Sequence, residues 1–160
     1  MSIPEVFRGR LRVPAIAAPM FLVSGPQLVG ATCKAGVAAA FPTLNARSVE
    51  QLDQWLGDLT GSLDPGDAPF GVNLILHASN ARLKDDFDLV VKHRVPFVVT
   101  SLGHPGDVAA AVHAYGGLVF SDIIHAYHAR KAIEAGVDGV IAVASGAGGH
   151  AGTQSAFSLI

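Results

Sequence analysis

The sequence holds one cysteine, one tryptophan, and charged side chains at only 15% of its 160 positions. A lone cysteine, Cys33, excludes an internal disulfide framework and suits a reducing compartment. The net charge of -2 gives no basic surface for a polyanion, so nucleic acid is not an expected partner. No apolar run approaches the ~20 residues that a membrane helix needs. The N-terminal stretch carries Glu5, Arg8, Arg10 and Arg12 and lacks a signal-type apolar core. A soluble, cytoplasmic protein without membrane contact is expected. Two phosphate-binding signatures are also missing. No Gly-x-Gly-x-x-Gly turn follows the first apolar run, and no Gly-x-x-x-x-Gly-Lys loop occurs. Their absence disfavours a dinucleotide-type Rossmann fold and a P-loop enzyme.

What is abundant is apolar residue, half of the chain, arranged in short runs. These are Ala15 to Met20, Val37 to Phe41, Phe70 to Leu76, Val95 to Thr100, Leu118 to Phe120 and Val137 to Val143. Helix-like stretches separate them. Ser24-Gly25-Pro26 reads as a cap with proline in the first turn, and Gly36 as the stop of the helix that follows. Ser48 and Gln51 make a capping box. Ala-Gly-Val recurs at Ala35 to Val37 and Ala135 to Val137, a repeated helix-to-strand corner. Six runs alternating with five helices predict βαβ units and a parallel sheet covered on both faces. Two architectures answer to that pattern: a doubly wound open sheet, and a (β/α)8 TIM barrel, which typically takes ~250 residues. In a barrel, this chain covers about the first six βα units.

Polar residues and glycines gather after the runs, where parallel α/β folds bind ligands. They are Pro19-Met20 and Ser24, Pro42 to Asn45, Asn73 within its run, Thr100-Ser101, Ser121-Asp122, and the loop Ala144 to Thr153. That loop sets His150 among Gly146, Gly148, Gly149 and Gly152. Glycines let a ligand approach the backbone closely, and an imidazole exchanges protons near neutral pH. Asp122 has a plainer reading as the cap of the next helix. His125 and His128 are three apart, but no carboxylate or cysteine completes a metal set, so no metal is expected.

Three stretches carry a resemblance to a known family: Ala18-Pro19-Met20, Pro69-Phe70-Gly71-Val72-Asn73, and Ala147-Gly148-Gly149-His150-Ala151-Gly152. Together they resemble the nitronate monooxygenase (2-nitropropane dioxygenase-like) family of FMN-dependent TIM-barrel enzymes. The resemblance implies one FMN-binding barrel domain over 1–160, truncated at its C-terminus. It places Ala18, Pro19, Met20, Asn73, Asp122, Gly148 and Gly149 against FMN and makes His150 the catalytic residue. The implied activity is oxidation of alkyl nitronates with O2. The alternatives are an NAD(P)H-dependent flavin reductase of the same superfamily, of the enoyl-acyl-carrier-protein or quinone type, and a degenerate half-barrel without activity. Family members often have Glu where Gly146 stands and a different polar residue, sometimes Lys, near Asp122. They hold the flavin phosphate mainly on loops after the seventh and eighth strands. Exposed strand edges in a chain without those strands imply self-association.

Overall fold

The computed structural model describes residues 3–149 and 152–160. Six strands, β1 (Ile16–Ala17), β2 (Ala38–Pro42), β3 (Phe70–Ile75), β4 (Phe97–Ser101), β5 (Leu118–Ile123) and β6 (Gly139–Ala142), form one sheet in sequential order. Every neighbouring pair is parallel. Helices α1 (Pro26–Lys34), α2 (Val49–Ser62), α3 (Leu83–Lys92), α4 (Gly106–His113) and α5 (Ala126–Glu134) connect the strands, and a short α6 (Ala156–Leu159) follows β6. The sheet curls into the first six βα units of a TIM barrel. No described helix is long and apolar enough to cross a membrane.

The helix-to-strand corners have a common cause. Gly36 and Gly136 both take the left-handed backbone, at φ 85° and 86°. At each, the next residue's N–H reaches back to the last helical turn, Val37 to Thr32 and Val137 to Ala132. Gly116 (φ 85°) ends α4 in the same way. Arg94 (φ 47°) repeats the pattern after α3 without a glycine, so that corner carries the Cβ strain the others avoid.

Strand alternation sorts the residues into two layers. Phe41, Val72, Leu74, Val98 and Val119 pack outward against Leu52, Leu56, Val90 and Val112 of the helices. Cys33 is wholly buried in that layer, and burial pushes its thiol up to about 11. Ala38, Ala40, Phe97 and Val99 face the inside with Leu118, Phe120 and Ile141. Two phenylalanines there each lie over a glycine of the neighbouring strand, Phe97 opposite Gly71 and Phe120 opposite Gly139. A Cβ on Gly71 would lie 2.4 Å from the Phe97 ring, so this packing requires glycine. Beneath them, a 3-10 turn over Glu5–Phe7 inserts Phe7, its ring 5.5 Å from Phe97 and 6.2 Å from Phe120.

The boundaries differ from the sequence reading in three places. The first run contributes only two strand residues; Ala18 to Met20 already lie in the loop. The fifth strand extends through Ser121 and Asp122, which the apolar pattern placed after it. Ser24 does not cap α1: Gly25 stands at the N-cap, and Ser24 Oγ instead accepts a hydrogen bond from Met20 N. The Ser48 cap forms as expected, its hydroxyl accepting from Gln51 N, while Gln51 Oε1 accepts from Arg47 N.

Candidate functional site

Asn73, Ser101 and Asp122 continue the inward faces of β3, β4 and β5 beyond Gly71, Val99 and Phe120. Ser101 and Asp122 are the polar ends of otherwise apolar inner faces, and Asn73 stands one inward position before Ile75 at the end of β3, which puts the three near the C-terminal edge of the sheet. They are hydrogen-bonded in series. Asn73 Nδ2 donates to Val99 O at 3.1 Å and to Ser101 Oγ at 2.8 Å, and Ser101 Oγ donates to Asp122 Oδ2 at 2.6 Å. Asn73 is buried; Ser101 and Asp122 are half-buried. Burial raises the Asp122 carboxyl above the ordinary aspartate range, with the Ser101 hydrogen bond opposing it. Asp122 does not cap α5. His125 does, through Nδ1 accepting from His128 N.

The loop after β1 is held from β2. Asn45 Oδ1 accepts from Leu22 N at 3.0 Å, and Asn45 Nδ2 donates to Met20 O at 3.0 Å and Ser24 O at 2.8 Å. Leu22 takes the left-handed backbone at φ 63°. Fixed in this way, Met20, Phe21, Leu22 and Val23 all present apolar side chains to solvent. Asn45 is held from behind: Arg82 donates to Ala46 O and Ser48 O and pairs with the buried Asp86. Pro19 is half-buried and Ala18 exposed.

The third part is the loop after β6. His150 and Ala151 lie outside the described residues. The loop is closed at its base by Gly152 N donating to Val143 O and Ser145 N to Gln154 O. Its glycines differ in what the fold asks of them. Gly146 and Gly149 are left-handed, at φ 89° and 74°. Gly152 is packed so closely that a Cβ would lie 2.8 Å from Val143 O. Gly148 is not among the left-handed residues, and no described atom lies within 4 Å of where its Cβ would be. Nothing in the described structure requires glycine at 148.

Three histidines on the strand-to-helix loops share one use. Nδ1 of His77, His104 and His125 accepts from the backbone N–H of Ser79, Gly106 and His128 respectively. This leaves Nε2 as the protonated nitrogen of each neutral ring. His125 and His128 stack with ring centroids 3.6 Å apart, and no metal-holding group of three or more ligands exists among the described residues. The series Asn73–Ser101–Asp122 and the Asn45 clamp were only partly visible in the sequence. Ser101 and Asn45 stood among the gathered polar residues, but their partners depend on strand register.

No family model matches the chain. Two curated proteins do, one from Rhodococcus jostii strain RHA1 and one from Mycobacterium tuberculosis strain H37Rv. Both are named (3aS,4S,5R,7aS)-5-hydroxy-7a-methyl-1-oxo-octahydro-1H-indene-4-carboxyl-CoA dehydrogenase. They are 32% and 30% identical to this chain over 92% of its length. The chain spans 40% of the length of each. Among solved structures, FabK from Thermotoga maritima matches 99% of this chain and 50% of its own, at a TM-score of 0.84 and 26% identity. A nitroalkane oxidase from Streptomyces ansochromogenes matches 86% of this chain and 48% of its own, at a TM-score of 0.74 and 24% identity. At that identity the second likeness bears on the fold alone.

Proposed function

We propose that this chain forms the flavin-facing part of an FMN-dependent oxidoreductase. Gly148 carries this reading: it is a glycine that the fold does not demand, in a loop at the C-terminal edge of a parallel sheet. A ligand pressed against the backbone is what would demand it. The donor set agrees. Both hydrogens of Asn73 Nδ2 are already engaged, so its free atom, Oδ1, can only accept. That suits the N–H on the polar edge of an isoalloxazine ring. Ala18, Pro19 and Met20, on the loop clamped by Asn45, would line the ring, and Gly148 and Gly149 would let backbone approach it. Bound FMN would supply acceptance of an electron pair from substrate. The protein's own part is to orient the ring and handle protons, and His150 is the proposed substrate-facing proton carrier.

For the substrate, the curated relatives support an acyl-CoA thioester with an alicyclic ring. The exposed apolar side chains of Met20 to Val23 suit such a group. Oxidation of alkyl nitronates with O2 is the second reading, supported by the Ala147 to Gly152 stretch. In either case the activity is that of a cytoplasmic enzyme acting on a small molecule. FMN titrated into the protein is expected to show a shifted visible spectrum. Gly148→Ala is expected to weaken FMN binding tenfold or more with an unchanged melting temperature. An FMN affinity equal to wild type in that variant would remove the carrying observation. Turnover of a CoA thioester with an artificial electron acceptor, against turnover of a nitronate with O2, separates the two substrates. His150→Asn is expected to reduce whichever turnover is found by ~10²-fold or more.

A further inference from the structure

Asp122 has no task in the reading above beyond lying near the cofactor, yet its surroundings are specific. Of the thirteen acidic residues, it alone lies within a β-strand. With the carboxyl ionised, its hydrogen bonding has one direction. Val99 O is a carbonyl and can only accept, so it is the amide NH2 of Asn73 that faces it. The second amide hydrogen then goes to Ser101 Oγ. Ser101 has one hydroxyl hydrogen, and that hydrogen goes to Asp122 Oδ2. In the carboxylate, Oδ2 is therefore held as an acceptor by Ser101, and Oδ1 has no hydrogen-bond partner among the described residues. Oδ1 is the oxygen left open to a ligand.

The geometry points to Asp122 as the group that exchanges a proton with the ligand bound at this edge of the sheet, through Oδ1, with Ser101 and Asn73 as the positioning residues that decide which oxygen does so. In the exchange the ligand's X–H bond breaks, an Oδ1–H bond forms, and the electron pair stays on X. A proton taken up on Oδ1 leaves the Asn73 and Ser101 bonds with the partners they have now. The charge environment favours this use. From β4 the group facing Asp122 is Ser101, and β6 places Ile141 in register with it. The titratable side chains of α4 and α5, Asp107, His113, Tyr127, His128, Arg130, Lys131 and Glu134, belong to the helices outside the sheet. No charged side chain among the described residues acts on the carboxyl; burial holds it up and Ser101 alone opposes. A carboxyl kept from ionising early, with no cation to fix its charge, is suited to acid–base work.

The proposal rests on the flavin reading only for the identity of the ligand; the behaviour of the carboxyl is a property of this chain. The test is carbon NMR of aspartate carboxyls in the 160-residue protein, titrated with pH, with Asp122 assigned by its loss in Asp122→Asn. Asp122 is expected to titrate above the other aspartates. Ser101→Ala is expected to move it higher still, because the bond favouring the carboxylate is gone, and Ser101→Thr to restore it. If Asp122→Asn does not fold, the Ser101→Ala and Ser101→Thr pair assigns the resonance. A carboxyl that titrates with the exposed aspartates, or that ignores Ser101→Ala, overturns the proposal. Calorimetry of FMN binding in buffers of different ionisation heat is the second arm. Wild type is expected to exchange protons with solvent on binding in the pH range where Asp122 titrates, and Asp122→Asn to exchange none there. FMN binding without proton exchange overturns the proposal. If FMN does not bind while Asp122 titrates high and follows Ser101, the cofactor reading fails and the proton-carrying carboxyl stands.

Discussion

Replacing Asn45 by alanine isolates the clamp on the loop that carries Pro19 and Met20. The substitution removes three hydrogen bonds, to Leu22 N, Met20 O and Ser24 O. A neutral hydrogen bond contributes roughly 0.5–1.5 kcal/mol net, so three fully dry ones would sum to about 1.5–4.5 kcal/mol. Those to Leu22 and Met20 are exposed, and water replaces part of their worth. A loss of about 1.5–3 kcal/mol in local opening free energy remains. At about 1.4 kcal/mol per factor of ten, the Leu22 amide should exchange with solvent deuterium roughly 10- to 100-fold faster. The loop also holds Leu22 in the left-handed region, and that strain is released once the clamp is gone. Asn45→Asp should be worse than alanine, because it keeps the acceptor for Leu22 N but turns a carboxylate oxygen toward two carbonyls. The assay is amide exchange by NMR, with Val72 in β3 as the reference for global opening. Leu22 exchange within twofold of wild type in Asn45→Ala, with Val72 unchanged, would refute the reasoning.

Other outcomes follow from packing and charge. Gly71→Ala puts a methyl into the Phe97 ring, and overpacking of this kind costs about 1–3 kcal/mol, read as a lower urea midpoint. Gly71→Ala/Phe97→Leu should recover part of it; a fully additive double variant would contradict the contact. The Asp122 carboxyl is raised in the folded state, so folding binds its proton more tightly. Its contribution to stability is complete below the ordinary aspartate range and is lost as pH rises through the raised folded value. The melting temperature of Asp122→Asn relative to wild type should therefore climb from acid to neutral pH; a flat difference would dispute the burial of this group. We also propose self-association through the exposed apolar residues beyond the fifth strand, including Ile133, Val140, Phe157 and Ile160. Light scattering should show mass rising with concentration, and a monodisperse monomer at high concentration would rule that out.

How much the sequence discloses depends on the distance over which each feature is decided. The Gly36 and Gly136 corners and the Ser48 cap were legible because each is settled within a few residues. Parallel pairing was legible from runs alternating with helices, whereas the sequential strand order followed from the barrel alternative, which the missing dinucleotide turn and the family resemblance favoured over a doubly wound sheet. The apolar pattern misplaces Asp122 because it ends a strand at the first polar residue. An inward-facing polar residue at a barrel mouth continues one, since backbone pairing is indifferent to the side chain. Ser24-Gly25-Pro26 holds as the start of α1, with Gly25 at the N-cap, but the use of the Ser24 hydroxyl was not legible, because its partner, Met20 N, lies across a turn closed by Asn45 and by bonds between Met20 and Ser24. The corner at Arg94 was missed because its sequence lacks the glycine. The direction of the Asn73–Ser101–Asp122 series could not be read from spacing at all, since it depends on Val99 lying opposite Asn73.

The Phe7 floor has a consequence for how the chain is made. Phe7 is near the start of the sequence, but its partners Phe97 and Phe120 lie on β4 and β5. A polypeptide released N-terminus first has four βα units still to be made between that ring and β5. The floor cannot close until β5 exists, and contacts of such long separation form late. Phe7 therefore behaves as a latch on a finished assembly, not as a nucleus for it. Alterations at Phe7 would be felt first in strands encoded far downstream, as faster unfolding of the finished assembly rather than as slower folding or loss of the first βα unit.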